Sequence, residues 1–196
     1  MSASVPTREV ARRVFAAEFN DATYTFKESD DERAPVYSLL PTGQRANRVF
    51  IVGTLTETED VGDESEYWRG RIVDPTGTFF TYAGQYQPEA TSVLRETETP
   101  AYVAVVGKPR SYETEEGDVN VSLRPESITI VDDDTRDRWV VETAGRTIDR
   151  IERFEEAHEY AAMAETQYGS DLSAYRDHVI SALEELEAAN DVPVEA

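Results

Sequence analysis

The sequence predicts a mixed β/α fold, a five-stranded β-barrel set between an N-terminal helix and a C-terminal α-helical hairpin. Three observations carry that prediction. Between Arg48 and Val131 the chain breaks into short runs rich in β-branched and aromatic residues, two of them joined at Pro75-Thr76-Gly77, where proline and glycine suit a tight turn. A single helical segment interrupts these runs, between the third and the fourth. After Asp132 the apolar residues recur at helical spacing and continue so almost to the end. These changes divide the chain into an N-terminal helix and extended connection over 1–35, a barrel over 36–132 and an acidic helical region over 133–196.

Taken in order, residues 7–19 predict an amphipathic helix: Thr7 can cap it, and Val10, Ala11, Val14, Phe15 and Phe19 fall on one face. Asn20 to Ala34 mixes Tyr24 and Phe26 with a polar run and reads as an extended connection. Arg48–Thr56 (RVFIVGTLT) is the first buried strand, and Gly53 inside it marks a bulge or bend. An acidic loop, Glu57–Glu66, leads to a hairpin of Tyr67–Val73 and Thr78–Ala83. A short helix from about Pro88 to Arg95, a strand Ala101–Lys108 and a last pair of pieces, Val119–Arg124 and Ser127–Val131, complete the barrel. Five strands with a helix between the third and fourth is the order of an OB-fold, whose second and third strands and connecting loops bind oligonucleotides.

In the C-terminal region Val140, Ala144, Ile148, Ile151 and Phe154 form one stripe, and Leu172, Tyr175, Val179, Leu183 and Leu186 another. Gly169-Ser170-Asp171 between them supplies a stop and a cap, so the reading is a helical hairpin. Its stripes can pair, cover the barrel or receive a partner protein. The triplet Asp132–Asp134 reads as a capped, solvated helix entry rather than a metal site.

Composition narrows the function classes. The 196 residues hold 40 acidic against 19 basic side chains, a net charge of −21, and Lys27 and Lys108 are the only lysines. Acidity spread along the whole chain, with arginine in place of lysine, fits a protein of an extremely halophilic microbe; the competing reading is a nucleic-acid mimic. Cysteine is absent, which removes disulfides, thiolate catalysis and Cys-based zinc sites. His158 and His178 lack metal-ligand spacing, and no Ser-His-Asp set or phosphate-cradling glycine loop occurs. The expectation is a non-enzymatic protein without cofactor or metal. No apolar run reaches the ~18 residues of a membrane span and the N-terminus has no signal-peptide core, so a cytoplasmic protein is expected.

The hairpin concentrates ring faces and guanidinium groups in this acidic chain. With Ile72 and Phe79 taken as core, strand alternation turns Arg69 and Arg71 outward on one strand and Phe80 and Tyr82 outward on the next. Tyr86 follows at the strand end, and Lys108, Arg110 and Arg124 stand on the later strands to meet a phosphate backbone. Trp68 and Phe79 read as core. Flat side chains on one sheet face with cations alongside suit single-stranded nucleic acid. The acidic loops Glu57–Glu66 and Glu113–Asp118, which would flank such a groove, repel phosphate in dilute buffer.

The segments NRVFIVGTL (Asn47–Leu55), YWRGRIVDPTGTFFTYAGQYQPEA (Tyr67–Ala90) and AYVAVVGKPR (Ala101–Arg110) resemble the OB-fold region of the archaeal proteins associated with replication protein A, especially those of haloarchaea. The resemblance covers residues 40–131. It implies a single-stranded-DNA-binding accessory subunit without catalytic activity, acting in replication, repair and recombination beside a larger replication protein A subunit. The alternative is an adaptor that binds that subunit through its helices with little direct DNA contact.

Overall fold

The computed structural model describes residues 8–191. In chain order its first elements are β1 (Arg12–Arg13), α1 (Ala16–Asp21), β2 (Thr25–Phe26), β3 (Tyr37–Leu39) and β4 (Arg45–Ala46). The barrel strands follow as β5 (Val49–Asp60), β6 (Trp68–Asp74) and β7 (Gly77–Ala83), then α2 (Pro88–Glu96), β8 (Ala101–Glu113) and β9 (Val119–Ile130). The last elements are α3 (Asp133–Glu152), a 3-10 turn over Phe154–Ala157, α4 (Glu159–Tyr168) and α5 (Ser173–Asn190).

The long strand β5 pairs with β6 along one edge and with β8 along the other, so the order β5-β6-β7-β9-β8 closes on itself. All pairings in the ring are antiparallel except β7 with β9. With α2 between its third and fourth strands this is a five-stranded OB-fold barrel. Gly53 marks a close approach: a Cβ there would stand 2.6 Å from the Val73 carbonyl oxygen. The register shift that bends β5 comes just after it, between Leu55 and Glu57.

Alternation fills the barrel with Ile51, Leu55, Ile72, Phe79, Val103, Val105 and Leu123, all fully buried. One end is closed by α2, whose Leu94 is also fully buried and sits where a Cβ on Gly70 would come within 2.8 Å. The other end is closed by α1, whose Phe19 meets Phe79 edge-on at 5.1 Å. Asp74 organises that end: one carboxylate oxygen accepts the Ala16 N–H at 2.7 Å, and the other accepts the N–H groups of Thr76 and Gly77. It thereby gives α1 the cap that Phe15 does not supply.

Several expectations need correction. The N-terminal helix does not run over 7–19: Arg12 and Arg13 pair with Val49 and Phe50 as a parallel edge strand, and the helix begins only at Ala16. Thr7 lies outside the described residues. Val10 points to solvent, so the buried stripe is Val14, Phe15 and Phe19, which a strand followed by a short helix satisfies as well as one helix would. The connection after α1 contains β2, which joins β3 and β4 in a small antiparallel sheet. The two last barrel pieces are one strand, β9, bulged opposite Val106 and Gly107. The first four residues of the expected acidic loop, Glu57–Asp60, extend β5.

The C-terminal region has three helices rather than a hairpin. Gly169, at φ +85°, ends α4; the N-cap of α5 is Leu172, which supplies no side-chain cap, and the Asp171 carboxylate before it accepts the Ser173 N–H at 2.9 Å. The α3 stripe divides: Val140 and Ala144 join the barrel-side core, whereas Phe154 packs with Leu39, Ala161 and Ala164 in a second cluster. Trp139 donates to the Phe50 carbonyl at 3.0 Å and meets Phe15 edge-on, seating α3 beside β5. The Asp132 side chain accepts the Thr135 N–H, so that end of the acidic triplet is a cap.

Candidate nucleic-acid interface

Burial of Ile72, Phe79, Thr81 and Ala83 leaves the alternate residues of β6 and β7 no direction but outward. Arg71 then stands directly across from Phe80, and Arg69 from Tyr82. Phe80 is 36% exposed, while Tyr82 is half-buried because Tyr67 covers it: the two rings stack at 5.7 Å and 20°. Gly84 makes room for that stack, since a Cβ there would lie 2.9 Å from the Tyr67 ring. Burial, aided by nearby Tyr112, pushes the Tyr82 hydroxyl above its ordinary pKa despite Arg69. The Tyr82 ring therefore carries no phenolate charge against phosphate at neutral pH.

The second half of the site is the arm of β8 and β9. Lys108 pairs with Arg124 and Arg110 with Ser122. The arm is re-aimed by its bulge, where Gly107 faces Pro125 and a Cβ on Gly107 would stand 2.4 Å from the Arg124 carbonyl oxygen. A cavity of about 270 Å³ gathers Tyr67, Tyr82, Tyr86, Gln87, Arg110 and Arg124. A neighbouring recess of about 470 Å³ shares Tyr86, Gln87 and Arg124 and adds Lys108. Tyr86 is the most open of these rings, 78% exposed.

Of the residues named from sequence, Tyr82, Tyr86, Lys108, Arg110 and Arg124 thus meet along one groove. Arg69, Arg71 and Phe80 share the adjoining outer sheet face but line neither cavity. Arg69 is engaged already, with Glu59 at 2.6 Å and Glu57 at 3.9 Å, and lies over Phe80 at 5.9 Å. Among the described residues Arg71, Lys108, Arg110 and Arg124 make no ion pair, while Arg13, Arg48, Arg95 and Arg150 do. In a chain with two carboxylates for each cation, unpaired cations gathered in one groove are the stronger signal. Sequence reading missed Tyr67 and Gln87. Tyr67 shares the outward parity of Arg69 and Arg71, but its value lies in the stack across Gly84, which no local pattern announces.

The arrangement offers flat rings for bases and cations for phosphates, the two elements that hold single strands without reading their sequence. Of the C-terminal helices, α3 packs on β1, β5 and β8, α4 on β3, and α5 on α3 and α1. Among the described residues no group of acidic or histidine side chains has metal-site geometry, and no helix is long and apolar enough to cross a membrane.

No protein-family model matches the chain, and no curated protein matches it. Solved structures similar to part of this chain include an OBody bound to hen egg-white lysozyme, at 17% identity and a TM-score of 0.36, over 43% of this chain and 81% of that one. The asparaginyl-tRNA synthetase of Pyrococcus horikoshii matches at 17% identity and 0.36, over 43% of this chain and 19% of that one. Rim1, a mitochondrial single-stranded DNA binding protein of S. cerevisiae, matches at 21% identity and 0.34, over 43% of this chain and 92% of that one. Each of these likenesses covers less than half of this chain, and the fold assignment rests on the strand pairing described above.

Proposed function

We propose that this chain is a non-catalytic single-stranded-DNA-binding subunit of an archaeal replication protein A complex. It serves replication, repair and recombination beside a larger replication protein A subunit, in the cytoplasm of an extreme halophile. One observation carries the reading: the groove that joins the Tyr67–Tyr82 stack and Tyr86 to the unpaired cations Lys108, Arg110 and Arg124, in a chain of net charge −21. The sequence resemblance over residues 40–131 supports the narrower identity.

Duplex DNA hides its base faces, whereas a single strand can lay them on Tyr82, Tyr86 and Phe80 while phosphates follow the arm cations. Each stacked base contributes about 1–3 kcal/mol, so loss of two rings predicts at least a tenfold drop in affinity. The test is fluorescence anisotropy of a labelled oligonucleotide, single-stranded and then duplex, at molar KCl. Saturable binding of the single strand alone, lost in the Phe80→Ala/Tyr82→Ala variant, is the expected result. Unchanged affinity in that variant would remove the barrel face from the mechanism.

A second reading, an adaptor for the large subunit, is favoured by the exposed apolar side chains Val141 on α3 and Ile180 and Leu183 on α5. Co-purification with the large subunit that survives Ile180→Asp/Leu183→Asp would contradict it.

A further inference from the structure

The groove does not end at the barrel. Beyond Lys108 and Arg124 it opens into a cleft of about 630 Å³ between the β8–β9 arm and the segment from Arg33 to Tyr37. Six of the cleft's lining residues are cationic: Arg8, Arg33, Arg48, Lys108, Arg110 and Arg124. Among the described residues Glu9 is its one acidic lining residue, and Glu9 stands 3.3 Å from Arg45. Arg33, like Lys108, Arg110 and Arg124, makes no ion pair among the described residues. Arg8 and Arg48 are both held by Glu126, whose carboxyl is pushed up by burial but held below its usual range by those two guanidinium groups.

We propose that this cleft is a second segment of the single-strand path: a phosphate-tracking channel that carries DNA off the barrel face and past Arg33. The inference rests on the proposed function and extends it to the length and direction of the bound strand. The contents of the cleft argue for phosphate rather than bases. Tyr37 is its only aromatic lining residue among those described, and that ring is already covered by Arg45 at 4.4 Å. The barrel segment would then supply stacking, and the cleft mainly charge. Glu126 acts as a local counter-ion: it keeps Arg8 and Arg48 in place in the free protein and yields them when phosphate arrives.

The experiment compares oligothymidylates of about 6 and about 20 nucleotides, spanning the usual range of ~4–16 nucleotides per OB-fold, by anisotropy with the full chain. The salt range is about 0.5–2 M KCl, where long-range repulsion is screened. Arg33→Glu should leave the short oligomer's affinity unchanged and weaken the long one about tenfold. Neutral Arg33→Ala should lower the steepness of log K against log salt for the long oligomer by about 0.7, the value for one phosphate contact to a single strand. Glu126→Gln, which releases two guanidinium groups, should strengthen long-oligomer binding and steepen its salt dependence. If the short oligomer binds while Arg33→Glu and Glu126→Gln leave the long one at wild-type affinity and slope, the channel is refuted and the barrel reading stands. If the wild type binds neither length, both readings fall.

Discussion

Replacing Arg150 with methionine should destabilise the protein by about 3–5 kcal/mol, the usual cost of removing one partner from a buried ion pair. Arg150 and Glu18 are 5% and 1% exposed, so water cannot replace what is lost. The Arg150 guanidinium donates to Glu18 at 2.8 Å, to the Thr42 hydroxyl at 2.8 Å and to the Arg13 carbonyl at 3.1 Å. Once it is gone, Glu18 retains among the described residues only the Thr42 N–H, at 3.2 Å, and the Thr42 hydroxyl. For a chain of this size each kcal/mol moves the melting temperature by about 2–4 °C, so a fall of about 6–20 °C is expected. Urea unfolding followed by the emission of buried Trp139 measures it: the midpoint should drop while the m-value holds. The Arg150→Met/Glu18→Gln double variant should regain half or more of the loss, because most of the cost is the stranded carboxylate rather than the missing attraction. A single-variant cost below about 1 kcal/mol, or a double variant no better than the single, would show that Glu18 does not depend on Arg150 as a buried partner.

Three further outcomes are expected. Gly84→Ala should displace the Tyr67 ring, its nearest neighbour at 2.9 Å, and weaken single-strand binding about fivefold or more while costing less than ~1 kcal/mol of stability; anisotropy and thermal melts separate the two. Leu94→Ala, which empties the plug of the barrel end, should cost about 2–5 kcal/mol in urea unfolding. Burial pushes the Tyr168 hydroxyl up to about 12, above its ordinary value of 10.0. The unfolded chain therefore ionises first, so stability is fully present below pH 10 and is lost as pH rises toward about 12. Tyr168→Phe, measured by urea midpoint against pH, should show a shallower alkaline decline than the wild type.

The barrel was legible because each of its signals is local. Pro75 to Gly77 fixed the hairpin, and alternation around Ile72 and Phe79 decided which residues face out, as the pairing of Arg71 with Phe80 bears out. The helical period after Asp132 was legible too, but not its division into α3, α4 and α5. The stripe through Phe154 continues in sequence while its burial changes partner, from the barrel side to Leu39 and Ala161. What failed was non-local. Arg12 and Arg13 have no strand-like composition and become an edge strand only because Val49 and Phe50 lie beside them. The small sheet of β2, β3 and β4 depends on pairings such as Phe26 with Tyr37, and on Tyr168 reaching back to Leu39. Within the site, the cations could be listed from the chain, but which of them lack a carboxylate could not. Arg69 and Arg71 look alike in sequence, and only the fold brings Glu59 to the first.

An acidic protein that binds an anion should show an unusual response to salt. At about 0.1 M ionic strength the Debye length is ~10 Å, so the −21 charge as a whole, and the carboxylates Glu115, Glu116 and Asp118 at the arm tip, all act on an approaching strand. At about 1 M that length is ~3 Å: charges across the groove are silenced, while a phosphate touching Lys108 or Arg124 is hardly affected by screening over so short a gap. Counterion release opposes this gain, lowering log K by about 0.7 per phosphate contact for each unit of log salt. Repulsion is relieved first and contacts are eroded later, so affinity should rise with salt, pass through a maximum and then fall, whereas a basic binder weakens from the start. Neutralising the tip with Glu115→Gln/Glu116→Gln/Asp118→Asn should flatten the rising limb and leave the falling limb parallel to that of the wild type. Circular dichroism at each salt concentration keeps unfolding of the acidic chain from imitating the rising limb. A monotonic decline of wild-type affinity from the lowest salt at which the protein stays folded would show that the groove cations dominate the long-range field, and the argument from net charge would fail.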